Sequence, residues 1–131
     1  MVLELAKQAA KANINFTLDA EEADRLVLSL QLLERLAKER DLAGWTGLGL
    51  AVQAYQKRCE SVVRWLGELS RGAQRNLMVR LVKGAYWDSE VKRAQVEGQP
   101  DYPVFTTKQA TAVSYIACAK ALLDVGPAIY P

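Results

Sequence analysis

A few polar side chains stand where an α/β protein has no packing use for them. Arg80 interrupts the apolar run LMVRLVK (77–83), and Lys83 closes it. A charge in a strand covered on both faces costs several kcal/mol unless it is paired or serves a ligand. Two readings are open for Arg80: a buried salt bridge, to Asp19 or Glu21, or contact with an anionic or polar ligand. Lys83 reads as a strand-end lysine reaching solvent or as part of the same ligand contact. Gln53 is the same oddity in LGLAVQA (48–54), where Gly49, Ala51 and Gln53 share one face against Leu48, Leu50 and Val52 on the other. Small residues followed by one amide either leave room for something or pack tightly beside a neighbouring strand. Asp19 ends NINFTLD (13–19); it can cap a helix, with Glu22 three residues on, or serve a site at the strand end. Gly84 permits close backbone approach to a ligand. Tyr86 and Trp87 after it form either a stacking surface or a plug between loop and helix.

The elements that must position these residues follow from periodicity. Residues 2–12 predict a short helix with Val2, Leu5, Ala6, Ala9 and Ala10 on one face. Alternation of Ile14, Phe16 and Leu18 predicts a strand over 13–19. A helix over 20–40 carries the stripe Leu26, Leu30, Leu33 and Ala37. The nearly unbroken apolar run 48–54 predicts a strand covered on both sides, as in parallel sheets. A helix over 57–71 buries Val62, Val63, Leu66 and Leu69, with Gly72 as terminator. The strand 77–83 leads into a short helix over 89–97 capped by Asp88, then the turn GQPDYP (98–103). Thr106 and Gln109 form a capping-box signal for a helix over 107–123, and AIYP (128–131) starts a further strand. Trp45 and Trp65 read as packing.

Strands alternating with helices predict right-handed crossovers and a parallel sheet, in either an open doubly wound fold or a (β/α)8 barrel. A barrel takes about 250 residues, so this chain is about half of one. It stops at a strand start, which predicts one segment of a longer frame. Asp19, Gln53 and the Lys83–Trp87 stretch all fall at corresponding strand ends, so three polar features point to one rim.

Composition narrows the chemistry. The 131 residues are 50% hydrophobic and 24% charged, a globular balance. Lys+Arg is 17 and Asp+Glu is 15, a formal charge of +2, which gives no support to nucleic acid as partner. With no histidine, Ser-His-Asp triads, Cys-His pairs and His-bearing zinc sites are excluded within these residues. Cys59 and Cys118 form no CxxC and read as free thiols. No apolar run approaches the roughly 18 residues of a membrane span. GLGLAV (47–52) lacks the last glycine of GxGxxG and precedes a strand, so it is not a dinucleotide fingerprint.

NINFTLDAEEADRL, GLAVQAYQKR, MVRLVKGAYWDSEVKRAQ and YPVFTTK…TAVSYIACAKALL resemble the proline dehydrogenase domain of the bacterial bifunctional proline utilization A flavoenzymes. The resemblance covers nearly the whole chain, and RLVKGAYWD is its most specific part. It implies a distorted (β/α)8 barrel that binds FAD non-covalently and oxidises L-proline to Δ1-pyrroline-5-carboxylate by hydride transfer to flavin N5. Electrons then pass to a membrane quinone, and a downstream aldehyde dehydrogenase domain makes glutamate. It implies a cytoplasmic enzyme peripheral to the inner membrane.

By the same resemblance, Asp19 supports the substrate site, Arg80 contacts flavin at N5, and Leu81 and Tyr86 pack on the proline ring. Gln53 lies near the flavin ring, Val82, Lys83, Gly84 and Ala85 line the flavin, and Trp87 stacks on it. Thr106, Lys108 and Thr111 contact the adenosine and phosphate part. Family members often carry arginine at the position of Thr107 and aspartate at that of Ala112. The family's lysine and arginine ligands for the substrate carboxylate fall outside these residues. The expectation is therefore a central barrel domain segment over 1–131, about βα units two to four plus the start of strand five. Alone it is expected to be inactive, and to self-associate through open sheet edges. The alternative is a non-catalytic partial-barrel module that binds flavin or itself.

Overall fold

The computed structural model describes residues 1–130. Its elements in chain order are α1 (Val2–Lys11), β1 (Phe16–Leu18), α2 (Leu26–Ala37), β2 (Leu48–Gln53), α3 (Cys59–Ala73), β3 (Leu77–Val82), α4 (Trp87–Val96), α5 (Lys108–Val125) and β4 (Ile129–Tyr130). The four strands form one sheet in the order β1-β2-β3-β4, and every pair is parallel. A doubly wound sheet reverses its strand order at a switch point. Here each strand neighbours its successor, which is the arrangement of an arc of a (β/α)8 barrel.

All six residues of β2 are buried, as its apolar run requires. One face of the sheet carries Leu48, Leu50, Leu77 and Val79 into a core with Leu33 and Leu36 of α2, and Val63 and Leu66 of α3. The other face carries Thr17, Gly49, Ala51, Met78 and Arg80. That face is the side of the sheet on which the polar residues gather.

Several boundaries depart from expectation, each for a local reason. The regular strand pairing of β1 is confined to Phe16–Leu18, because the chain leaves α1 through Asn13 in the left-handed region (φ 51°). Helix α2 starts at Leu26, after a 3₁₀ turn over Ala23–Arg25, and not at residue 20. Asp19 caps nothing there; its Oδ1 accepts from the Ala20 amide (2.9 Å) and pairs with Arg80. Gly72 lies inside α3, and Gln74 takes the left-handed terminating position instead (φ 51°). Helix α4 starts at Trp87, so Asp88 belongs to its first turn and is not its cap. The cap of α5 is Thr107, whose Oγ1 accepts from the Ala110 amide (3.2 Å), one residue beyond Thr106. On α1 the buried residues are Ala6 and Ala9, while Leu5 is exposed. Of the AIYP strand start, β4 holds Ile129 and Tyr130, and Pro131 lies outside the described residues.

Arg75, just before β3, was not singled out by the sequence. It is buried, and its guanidinium donates to the carbonyls of Ala37 (3.1 Å), Glu39 (3.1 Å), Trp45 (3.4 Å) and Leu42. All four lie where α2 ends and the chain turns toward β2; those of Glu39 and Leu42 also accept backbone amides, from Leu42 (3.3 Å) and Trp45 (3.2 Å). Replacing Arg75 by Met leaves the Ala37 and Trp45 carbonyls without a donor among the described residues and removes the second donor of Glu39 and Leu42. We expect Arg75→Met to lower stability by about 3 kcal/mol, read as a fall in the urea midpoint; a loss below about 1 kcal/mol would contradict this account.

Candidate functional site

Strand register brings Asp19 and Arg80 together. Leu18 pairs with Leu50, so Asp19 falls level with Ala51, and Ala51 pairs with Arg80. The two charged residues are therefore two strands apart, roughly 9.6 Å between backbones, with only the Ala51 methyl between them. Arg80 Nη2 donates to Asp19 Oδ1 at 2.5 Å across that gap. Of the partners considered, Asp19 is the one used and Glu21 is not. The pair is also exposed rather than buried, with 60% and 73% of the two side chains open. An exposed ion pair contributes about 0–1 kcal/mol, so stability does not explain why an arginine stands in this strand. Its remaining N–H donors have no partner among the described residues.

Gln53 closes the row at the strand end and is buried. Its Nε2 donates to the Glu21 carbonyl (2.8 Å), and its Oε1 accepts from the Ala85 amide (3.0 Å). Its amide thus joins the loop after β1, which carries Asp19, to the turn after β3, which carries Gly84 to Trp87. The loop after β1 has two further ties at Ala23: its amide donates to the buried Glu90 of α4 (2.6 Å), and its carbonyl accepts from Arg58 (2.9 Å). Tyr86 is half-buried on this rim. Negative charge on Glu21 is the main cause that raises its phenol above the ordinary range, followed by burial, Glu22 and Asp19. The acidic loop and Tyr86 therefore share one electrostatic neighbourhood.

Beside the rim lies an open cleft of about 590 Å³, within the usual size of ligand sites. Lys83, Gly84 and Trp87 line one wall, Thr106, Lys108 and Thr111 the other, with Tyr55 between. The Trp87 indole is 42% exposed and held in place by its Nε1, which donates to the Phe105 carbonyl (3.0 Å). Neither Lys83 nor Lys108 has a carboxylate partner among the described residues. Two unpaired ammonium groups, Lys108 at the N-terminus of α5 and Lys83 at the end of β3, suit an anion, and a fixed exposed indole suits a flat ring.

The structure thus gathers Asp19, Gln53, Arg80, Val82, Ala85 and Tyr86 at one rim. It gathers Lys83, Gly84, Trp87, Thr106, Lys108 and Thr111 around the adjoining cleft. Leu81 is not brought to that rim: strand alternation turns it to the opposite face, where it is half-buried against the hydrophobic core. Sequence reasoning missed Tyr55, Arg58 and Glu90. The signal for Tyr55 was available, since it follows Gln53 at the level where the other strand ends turn polar.

Gly84 adopts φ 149°, and a Cβ there would meet the Tyr55 ring at 2.4–2.6 Å. Both the backbone conformation and the space require glycine. Gly84→Ala should displace the turn and loosen the Trp87 wall. Trp87 is the most exposed of the three tryptophans, so the expected readout is a red shift in tryptophan emission; an unchanged spectrum would show that the turn absorbs the methyl group.

Comparison with known proteins places this geometry in a family. The chain matches the proline dehydrogenase family (Pro_dh) over residues 1–131. It is 58% identical over 123 residues to the bifunctional protein PutA of Salmonella typhimurium, covering 94% of this chain and 9% of that protein. The figures for PutA of Rhizobium meliloti are 54% over 120 residues, with 92% and 10% covered. The chain therefore spans about a tenth of the length of these relatives. Among solved structures, a mutant proline utilization A of Bradyrhizobium japonicum superposes with a TM-score of 0.97 at 53% identity, over 99% of this chain and 13% of that one. Proline utilization A of Bdellovibrio bacteriovorus, inactivated by N-propargylglycine, gives 0.94 at 30% identity, over 98% of this chain and 13% of that one. This chain belongs to the proline dehydrogenase family.

Proposed function

We propose that the chain supplies the central part of a barrel that oxidises L-proline to Δ1-pyrroline-5-carboxylate with FAD. The observation that carries this reading is the contiguity of two unlike sites: an exposed Arg80–Asp19 pair on the sheet face, and a cleft with a fixed indole and unpaired lysines beside it. The cleft fits a flavin dinucleotide. Trp87 offers a face for a ring, Gly84 keeps the backbone close to it, and Lys83, Lys108 and the Thr106 segment suit a pyrophosphate.

When bound, the flavin supplies the hydride acceptor. The chain's own residues do the rest. Arg80 presents a fixed positive charge that favours reduction of a ring beside it. Asp19 holds the guanidinium at one position on the open face. Gln53 keeps the Asp19 loop and the Ala85 turn, which leads into Tyr86, in a fixed relation. Leu81 lies on the face of β3 opposite Arg80, half-buried against the core, and lines with Arg80 an open groove beside β4.

In this reading residues 1–131 make up about βα units two to four and the start of strand five. The remainder of the barrel supplies the groups that bind the substrate carboxylate. The full enzyme passes electrons to a quinone from the cytoplasmic face of the inner membrane and is fused to an aldehyde dehydrogenase domain. The isolated chain is then a flavin-binding but inactive segment, which self-associates through its sheet edges.

The test is a visible spectrum of the purified chain after FAD loading and removal of excess, before and after L-proline. A retained flavin band that does not bleach is expected. Bleaching would overturn the inactivity of the isolated chain, and absence of a band would overturn its flavin cleft.

A second expectation separates charge from stability. Asp19→Ala and Arg80→Met should each change the urea stability by less than about 1 kcal/mol. Arg80→Met should nevertheless lower the potential of bound flavin by about 30 mV or more, the equivalent of about 1.4 kcal/mol for a two-electron couple. An unchanged potential would remove Arg80 from the flavin's surroundings.

A further inference from the structure

We propose that Tyr55 is a positioning residue for the cofactor cleft, holding both of its walls through one buried side chain and its own backbone. The inference rests on the reading of that cleft as the flavin site. Tyr55 is 2% exposed, directly after the strand-end pair Gln53-Ala54. Its amide donates to the Lys83 carbonyl (2.7 Å), and its carbonyl accepts from the Phe105 amide (2.8 Å). Its hydroxyl accepts from the Tyr86 amide (3.2 Å), and its ring fills the space that Gly84 leaves free. One residue thus touches the Lys83–Tyr86 turn at three points and the Phe105 segment at a fourth. Trp87 Nε1 bonded to the Phe105 carbonyl closes the loop between the walls.

The hydroxyl is the informative group. A ring wanted only for packing at a 2% exposed position is met by phenylalanine. Here the oxygen accepts from a backbone amide that belongs to a turn, not to a helix or strand ladder, so that amide has no regular partner to fall back on. Burial is the main cause that pushes the phenol up to about 12, so it stays protonated and neutral under ordinary conditions. Its contribution is therefore geometric: it fixes where Tyr86 and Trp87 start from as α4 begins.

The experiment compares the wild-type chain with Tyr55→Phe, which deletes the oxygen and keeps the ring, and Tyr55→Leu, which loses both. Amide hydrogen exchange at Tyr86 is followed by NMR, and FAD affinity by titration of the flavin fluorescence. In Tyr55→Phe the Tyr86 amide should exchange about tenfold faster and FAD should bind about threefold to tenfold more weakly. The urea midpoint should stay near wild type. Tyr55→Leu should weaken FAD further. Unchanged exchange at Tyr86, or wild-type FAD affinity in Tyr55→Phe, would overturn the proposal and leave Tyr55 as core packing. A wild-type chain that takes up no FAD would overturn the functional reading, and the Tyr86 exchange rate would still decide whether the hydroxyl holds the turn.

Discussion

The inner face of β2 is kept nearly empty, and the rim depends on it. A Cβ at Gly49 would come within 2.9 Å of the Met78 backbone and 3.1 Å of Thr17 Oγ1, so β1 and β3 close over the strand at that level. One step up, Ala51 presents only a methyl group between Asp19 and Arg80. A branched or long residue there would separate two side chains that have to reach across a whole strand. Small residues cost backbone entropy and packing area. That cost falls on the most buried strand of the sheet, where it can be offset by Leu48, Leu50 and Val52 on the opposite face.

Above that level the design changes from empty space to side chains that hold backbone. Gln53, Arg58, Glu90 and Ser114 each bond to a main-chain group of another segment, and Tyr55 does so with its hydroxyl. The loops that follow parallel strands lack ladder partners of their own. Here each is tied down by a residue from a neighbouring unit. A site built this way is shaped before any ligand arrives, and positions held from several elements are more precise than loops held at their ends alone.

The fold was legible because β2 is a nearly unbroken apolar run, α3 carries a clear apolar stripe, and a capping signal precedes α5. The gathering of Asp19, Gln53 and the Lys83–Trp87 stretch at one rim followed from strand parity and the placement of sites at strand ends. What escaped sequence reading was competition between local and distant partners. Asp19 followed by Glu22 has the pattern of a helix cap, but its carboxylate is drawn to Arg80, 61 residues away, and the helix starts later. Gly72 was the obvious terminator, yet α3 continues until Gln74 turns. The apolar neighbours of Arg80 in sequence make it read as a buried charge, whereas its side chain is exposed. Nothing in one strand's sequence tells which of its faces is left open. Arg75 escaped for a related reason: its four acceptors are main-chain carbonyls, which have no sequence signature.

Helix α4 stands apart from the rest of the sheet cover. Only Glu90 and Ala94 of its ten residues are buried, and among the described residues none of them joins the main hydrophobic cluster. It is held instead by polar ties: Glu90 to the Ala23 amide, Arg93 to Asp24, and the Trp87 indole to the Phe105 carbonyl. An element with so little apolar contact opens at a lower free energy than the strands behind it. The chain therefore contains two cooperative units of unequal strength, a sheet with its apolar helices and a wall that carries Trp87. A global melting temperature reports on the first and is nearly blind to the second.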